Sequence, residues 1–126
     1  MQIALLAYSP HSLILARTQS RGTSEERHYF WKEETMSVQW LFEIIEDRRK
    51  NPIEKSYTSS LFAEGLSKIA QKVGEEGTEV VIATLAQDDQ RLIEEVADLT
   101  YHTLVLLSAR GLTPTQILAE LKKRHV

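Results

Sequence analysis

The chain has 126 residues, 42% of them apolar and 26% charged, with a formal net charge of −3. That describes one soluble globular domain, too small for two sizeable cores and too acidic for a nucleic-acid footprint. It contains no cysteine, which excludes disulfides, zinc–thiolate sites, iron–sulfur clusters and thiol catalysis. No apolar run approaches the ~18–20 residues of a membrane span. The apolar start, residues 1–7, has no basic lead-in and is followed by Pro10 and His11. No signal peptide or membrane partner is read, and the expected location is the cytoplasm.

The sequence changes character near residue 36. Two short apolar runs, residues 3–8 and 13–16, flank Ser9-Pro10-His11-Ser12 and predict a strand–turn–strand. Residues 17–28 are polar and read as a linker. After Met36 the pattern becomes helical. Ser37 is the expected cap of a first helix in which Val38, Leu41, Phe42 and Ile45 recur at helical spacing, and Asn51-Pro52 ends it. Residues 53–60 read as a polar connector. One long helix is expected over 61–86. A turn at Gln87-Asp88-Asp89, with Asp89 as cap, leads to a second over 90–109. Gly111 stops that helix, and Thr113-Pro114 opens a last one to about Arg124. The predicted fold class is all-α, a helical bundle with short connections. Residues 1–35 form an N-terminal extension, irregular or a short hairpin, and 36–126 form the domain proper.

Four acids carry the chemical signal. Glu76 and Glu79 are three apart on the first long helix, and Glu95 and Asp98 are three apart on the second. Residues at that spacing share a helix face. With Ile69 set at zero on a helical projection, Val73, Val80 and Ala83 cluster around it. Glu76 falls inside that apolar stripe, at about 340°. Lys72 and Glu79 fall at its edge, and Glu75 lies further toward solvent. The second helix is apolar around much of its circumference, yet Glu95, Asp98 and His102 share one side of it. Antiparallel packing of the two helices would bring the carboxylates face to face. Charges so placed must take up protons or be held by a cation. Oxygen-only ligands suit a hard ion, Mg²⁺ or Mn²⁺. Lys72 and Lys68 stand where phosphate charge would meet that ion, which suggests metal-assisted attack of water on a phosphoanhydride. The competing reading makes the acids ordinary ion-pair partners of Lys72 and other bases on a helix surface. Asp98 and His102 at i, i+4 also suit a transition metal, but the Glu-x-x-His of carboxylate di-iron bundles is absent.

Residues 56–83 (SYTSSLFAEGLSKIAQKVGEEGTEVVIA) and 94–102 (EEVADLTYH) resemble the phosphoribosyl-ATP pyrophosphohydrolase family. That family sits among the all-α NTP pyrophosphatases, whose Glu-x-x-Glu and Glu-x-x-Asp signature stands here at Glu76–Glu79 and Glu95–Asp98. The resemblance covers about residues 37–126. It implies hydrolysis of the α–β anhydride of 1-(5-phosphoribosyl)-ATP to phosphoribosyl-AMP and pyrophosphate, in histidine biosynthesis. It also implies Mg²⁺ dependence and a homodimer that completes the bundle. Carried over residue by residue, Glu76, Glu79, Glu95 and Asp98 are the metal ligands and catalytic acids. Glu75 is an outer or second-metal acid. Lys72 and, more weakly, Lys68 bind phosphate, and Ser56, Tyr57 and Thr58 shape the substrate pocket. His102 and Arg49 join the substrate-binding group, against their other readings as a core histidine and a solvated helix end.

The chain departs from the family pattern in two places. Gly77 stands where Ala is expected, at a cost of up to ~1 kcal/mol, and is expected to permit a close helix approach. The free-standing family has no need of residues 1–35. A longer cyclohydrolase domain with zinc-binding cysteines precedes this one in some proteins. The cysteine-free extension implies no such activity, and 37–126 is expected to suffice. Two alternatives stay open: a house-cleaning pyrophosphatase for ordinary or damaged NTPs, and a non-catalytic helical dimerisation module.

Overall fold

The computed structural model describes residues 37–125. The predicted strand–turn–strand and the linker after it lie outside the described residues. Within them all regular structure is helical: α1 Val38–Lys50, α2 Tyr57–Glu64, α3 Leu66–Ala86, α4 Asp89–Ala109 and α5 Pro114–His125.

Local chemistry sets the helix ends. The Ser37 hydroxyl accepts from Trp40 N, and Ser56 and Asp88 do the same for Ser59 N and Arg91 N. The cap before α4 is thus Asp88, one residue earlier than the sequence suggested. At the far end of α4, Gly111 N–H bonds Ser108 O and Leu112 N–H bonds Leu107 O. With Gly111 at φ +68°, this is a Schellman stop. Gln116 Oε1 accepts from Thr113 N at 2.8 Å and closes the start of α5.

The expected helix over 61–86 is two helices. Gly65, at φ +95° and ψ 177°, sits in a region open essentially to glycine alone and turns the chain between α2 and α3. The α2 helix also takes in residues 57–60, which were expected in the connector. Ser56 supplies the cap that the polar composition concealed.

The long helices α3 and α4 are joined through Gln87 and Asp88 and pack as an antiparallel hairpin. Helix α1 lies on α4, α2 bridges α1 and α3, and α5 touches only α1 among the strongly packed pairs. The apolar core gathers Phe42 and Ile45 of α1, Leu61 of α2 and Ile69 of α3. From α4 it takes Tyr101, Leu104, Val105 and Leu107. It therefore covers the C-terminal half of α4. On the N-terminal half, the buried side of the helix is polar. The close approach expected at Gly77 is not found, since a Cβ there would meet nothing within 4 Å.

Candidate active site

Three of the four expected acids converge. Glu76 of α3 and Glu95 and Asp98 of α4 are all buried, and each offers a carboxylate oxygen within 4.8 Å of the others. The antiparallel hairpin explains this meeting, because both pairs lie about two to three turns from the connecting turn. Glu79 is half-buried and does not join the group. The Glu95 Oε2 atom is buried and accepts from no donor. Such an atom is costly to desolvate without a partner, and three converging carboxylates offer the all-oxygen donor set of a hard divalent cation. The residues fit such an ion.

Two cations flank the cluster. Lys72 is buried, not at the edge of the stripe as projected, and its Nζ lies 2.9 Å from Glu76 Oε1 and 3.0 Å from Glu75 Oε2. Burial opposes the Lys72 charge, but the bonds from Glu76 and Glu75 outweigh it and raise its pKa. Arg91 bonds Glu94 Oε2 and Glu95 Oε1. No sequence argument had singled out Arg91. The signal was present as a repeated pattern: Lys72-x-x-Glu75-Glu76 and Arg91-x-x-Glu94-Glu95 place the same three groups on the two helices. Lys68 is one turn before Lys72 and half-exposed.

Among the described residues Asp98 has no such hydrogen-bonded cation. Burial, followed by the charges of Glu76 and Glu95, pushes its carboxyl up to about 6. This is the behaviour expected of like charges sharing a low-dielectric site.

Beyond Asp98 an aromatic layer connects α2 to α4. The His102 Nδ1–H donates to Asp98 O at 2.8 Å, so Nε2 is the acceptor of a hydrogen bond from the Tyr57 hydroxyl at 3.0 Å. His102 is fully buried. Burial lowers its pKa and keeps it neutral. Both ring nitrogens of His102 are engaged, one by Asp98 O and one by the Tyr57 hydroxyl. Thr58 Oγ1 and the Tyr101 hydroxyl share a hydrogen bond, and burial pushes Tyr101 up to about 12. Tyr57 and Tyr101 stack with centroids 6.3 Å apart. Tyr57 and Thr58 are thus docked on α4, with Ser56 capping their helix just before them.

Arg49 is elsewhere. It bonds Glu46 and, through Nε, Ser108 Oγ at 3.2 Å. Ser108 lies about 15 Å along α4 from Asp98 at the helical rise of 1.5 Å per residue. The guanidinium joins α1 to α4 and stands away from the acid cluster.

The family model for phosphoribosyl-ATP pyrophosphohydrolase matches residues 38–125. The chain belongs to that family. This pyrophosphohydrolase-family chain is 52% identical over 89 residues to a phosphoribosyl-ATP pyrophosphatase of Lacticaseibacillus casei, covering 71% of this chain and 81% of that one. A Clostridium botulinum protein of the same name (strain Hall) is 52% identical over 85 residues, 68% of this chain and 77% of that one. A third relative, the histidine biosynthesis bifunctional protein HisIE of Oceanobacillus iheyensis, is 41% identical over 120 residues, 90% of this chain and 56% of that one. A match over 90% of the chain extends into the residues before 37.

Proposed function

We propose that this chain hydrolyses the α–β phosphoanhydride of 1-(5-phosphoribosyl)-ATP, yielding 1-(5-phosphoribosyl)-AMP and pyrophosphate in histidine biosynthesis. The observation that carries the reading is the meeting of Glu76, Glu95 and Asp98, with Glu95 Oε2 unpartnered, in a member of this family. Those three acids hold Mg²⁺, with Mn²⁺ able to replace it. Glu79, one turn from Glu76, is the fourth ligand, and Glu75 is an outer acid. When bound, the ion supplies charge neutralisation at the phosphate oxygens and a more acidic water.

The chain's own groups bind and orient. Lys72 pairs with Glu76 and adds positive charge where a polyphosphate meets the acids, and Lys68 extends that field one turn outward. Ser56, Tyr57 and Thr58 form the wall of the substrate pocket, held at a fixed distance from the acids by His102 and Tyr101. Residues 36–126 are the catalytic domain, and residues 1–35 are an extension outside its machinery. Arg49 is given no part in substrate binding, because its partners are Glu46 and Ser108.

The working unit is a homodimer. Val81 and Leu85 of α3 and Ile93 and Val96 of α4 are exposed, Leu85 at 80%. They lie around the turn of the long hairpin, and a second copy would cover them. Light scattering reads this directly, and a monomer at working concentration overturns it. No helix among the described residues is long and apolar enough to cross a membrane. The absence of cysteine is consistent with action in the cytoplasm.

The deciding experiment incubates the full chain with phosphoribosyl-ATP and Mg²⁺ and measures pyrophosphate against orthophosphate. Pyrophosphate release with phosphoribosyl-AMP is expected. Preference for ordinary or damaged NTPs overturns the substrate, and no hydrolysis of either overturns the enzyme reading in favour of a dimerisation module.

A further inference from the structure

Lys72 and Arg91 are counterparts. Each stands three residues before an outer acid and four before an inner one, Glu75 and Glu76 for the first and Glu94 and Glu95 for the second. They differ in surroundings. The Lys72 side chain is buried, whereas that of Arg91 is 34% exposed. Lys72 leaving Glu76 would leave a buried ammonium with Glu75 alone and little access to water. Arg91 leaving Glu95 keeps both water and Glu94, so it is the cation able to yield. Its charge is permanent, because a guanidinium does not deprotonate in proteins.

The state of Glu95 adds the second observation. Arg91 takes Oε1, while Oε2 is buried and accepts from no donor. One oxygen of a buried acid is therefore neutralised by a partly exposed cation, and the other is unsatisfied, in a residue that converges with Glu76 and Asp98. An ion that takes Oε2 as a ligand meets the positive charge of the Arg91 guanidinium bonded to Oε1 of the same carboxylate. At an effective dielectric near 20, like charges several ångströms apart repel by a few kcal/mol before solvent and salt reduce the effect.

We infer that Arg91 is a resident counter-cation that competes with a divalent ion for Glu95 and so sets the affinity of the acid cluster for that ion. The inference rests on the proposed reading in which Glu76, Glu95 and Asp98 hold the ion. It concerns affinity, and it asks nothing of Arg91 in bond cleavage.

The test measures Mn²⁺ binding to the full chain without substrate, from the paramagnetic resonance of free Mn²⁺. Arg91→Gln is expected to bind at least about threefold tighter than wild type. Arg91→Lys, which keeps the charge at that helix position, is expected to return the affinity toward wild type. Equal or weaker binding by Arg91→Gln overturns the inference, as does equal tightening by Arg91→Lys. Wild-type binding that is lost in Asp98→Asn leaves the site reading standing whatever Arg91 does. A wild-type chain that binds no Mn²⁺ overturns both. A second measurement needs no variant. Titration of the wild-type chain with Mg²⁺ is expected to shift the Arg91 side-chain nitrogen resonance, and a resonance unmoved at saturation overturns the inference.

Discussion

The Tyr57 hydroxyl donates to His102 Nε2 at 3.0 Å, and that bond fastens the start of α2 to the buried centre of α4. His102 is fully buried and its other nitrogen is committed to Asp98 O. Removing the hydroxyl leaves a buried acceptor with no donor. Tyr57→Phe is therefore expected to destabilise the fold by about 1–3 kcal/mol, read as a lower midpoint in chemical denaturation with an unchanged slope. An unchanged midpoint would show that water replaces the hydroxyl at no cost. The same variant should raise KM for the nucleotide more than it lowers kcat, if Tyr57 lines the pocket as proposed above.

Asp98 gives the pH behaviour of the protein in chelator a definite sign. Its carboxyl is pushed up to about 6, above its ordinary value of 3.8. The native state therefore binds more protons than the unfolded state between those two values, and stability falls as pH rises through that window. The destabilisation is complete above about pH 6 and absent below about pH 4. Asp98→Asn, which carries no charge, is expected to melt higher than wild type at pH 7.5 in chelator, with the difference fading toward pH 4. Added Mg²⁺ should reverse the order, because the ion stabilises only the chain that binds it. Equal melting temperatures at both pH values would show that Asp98 is not electrostatically strained.

The helical fold was legible because the periodicity of α3 and α4 is long and unbroken, and because Ser37, Gly111 and Thr113-Pro114 punctuate it. The break at Gly65 was not, because glycine within an apolar pattern has no signature until its φ is known. Glu76 was legible as an acid in an apolar stripe. Projection placed Lys72 at the edge of that stripe, yet it is buried, because the buried face is centred on Ile69, Lys72, Glu76 and Ala83. On α4 the spread of apolar residues around much of the circumference predicts a mostly buried helix. Ile93 and Val96 are instead exposed, and Glu95, Asp98 and His102 occupy the inner side. Apolar residues spread around such a helix do not mark which side packs against its own chain and which stays exposed.

Glu95→Gln tests the chemistry. Glu95 is buried and its Oε2 has no other partner. The amide is nearly isosteric but brings no charge to a divalent ion. Turnover should fall by roughly 10²–10³-fold, the equivalent of about 3–4 kcal/mol of lost transition-state stabilisation. Circular dichroism should remain that of the native helical chain. Turnover within about threefold of wild type would remove Glu95 from the ligand set and with it the proposed site.

Acid stability depends on a group remote from the cluster. Glu46 accepts from Arg49 and Ser108 and lies near Lys50. The Arg49 bond, against the effect of burial, brings its carboxyl down from 4.5 to about 2. A depressed carboxylate contributes stability that is fully present above its unfolded pKa and is lost as pH falls through the folded value. Wild type is thus expected to lose this contribution between about pH 4.5 and pH 2. Glu46→Gln removes it at neutral pH, so the variant should melt lower than wild type at pH 7 and converge with it near pH 2. Because Glu46, Arg49 and Ser108 join α1 to α4 and stand away from Glu76, Glu95 and Asp98, Mn²⁺ affinity should be unchanged. A Glu46→Gln variant that lost Mn²⁺ binding while remaining folded would show that the α1–α4 contact and the acid cluster are one coupled unit.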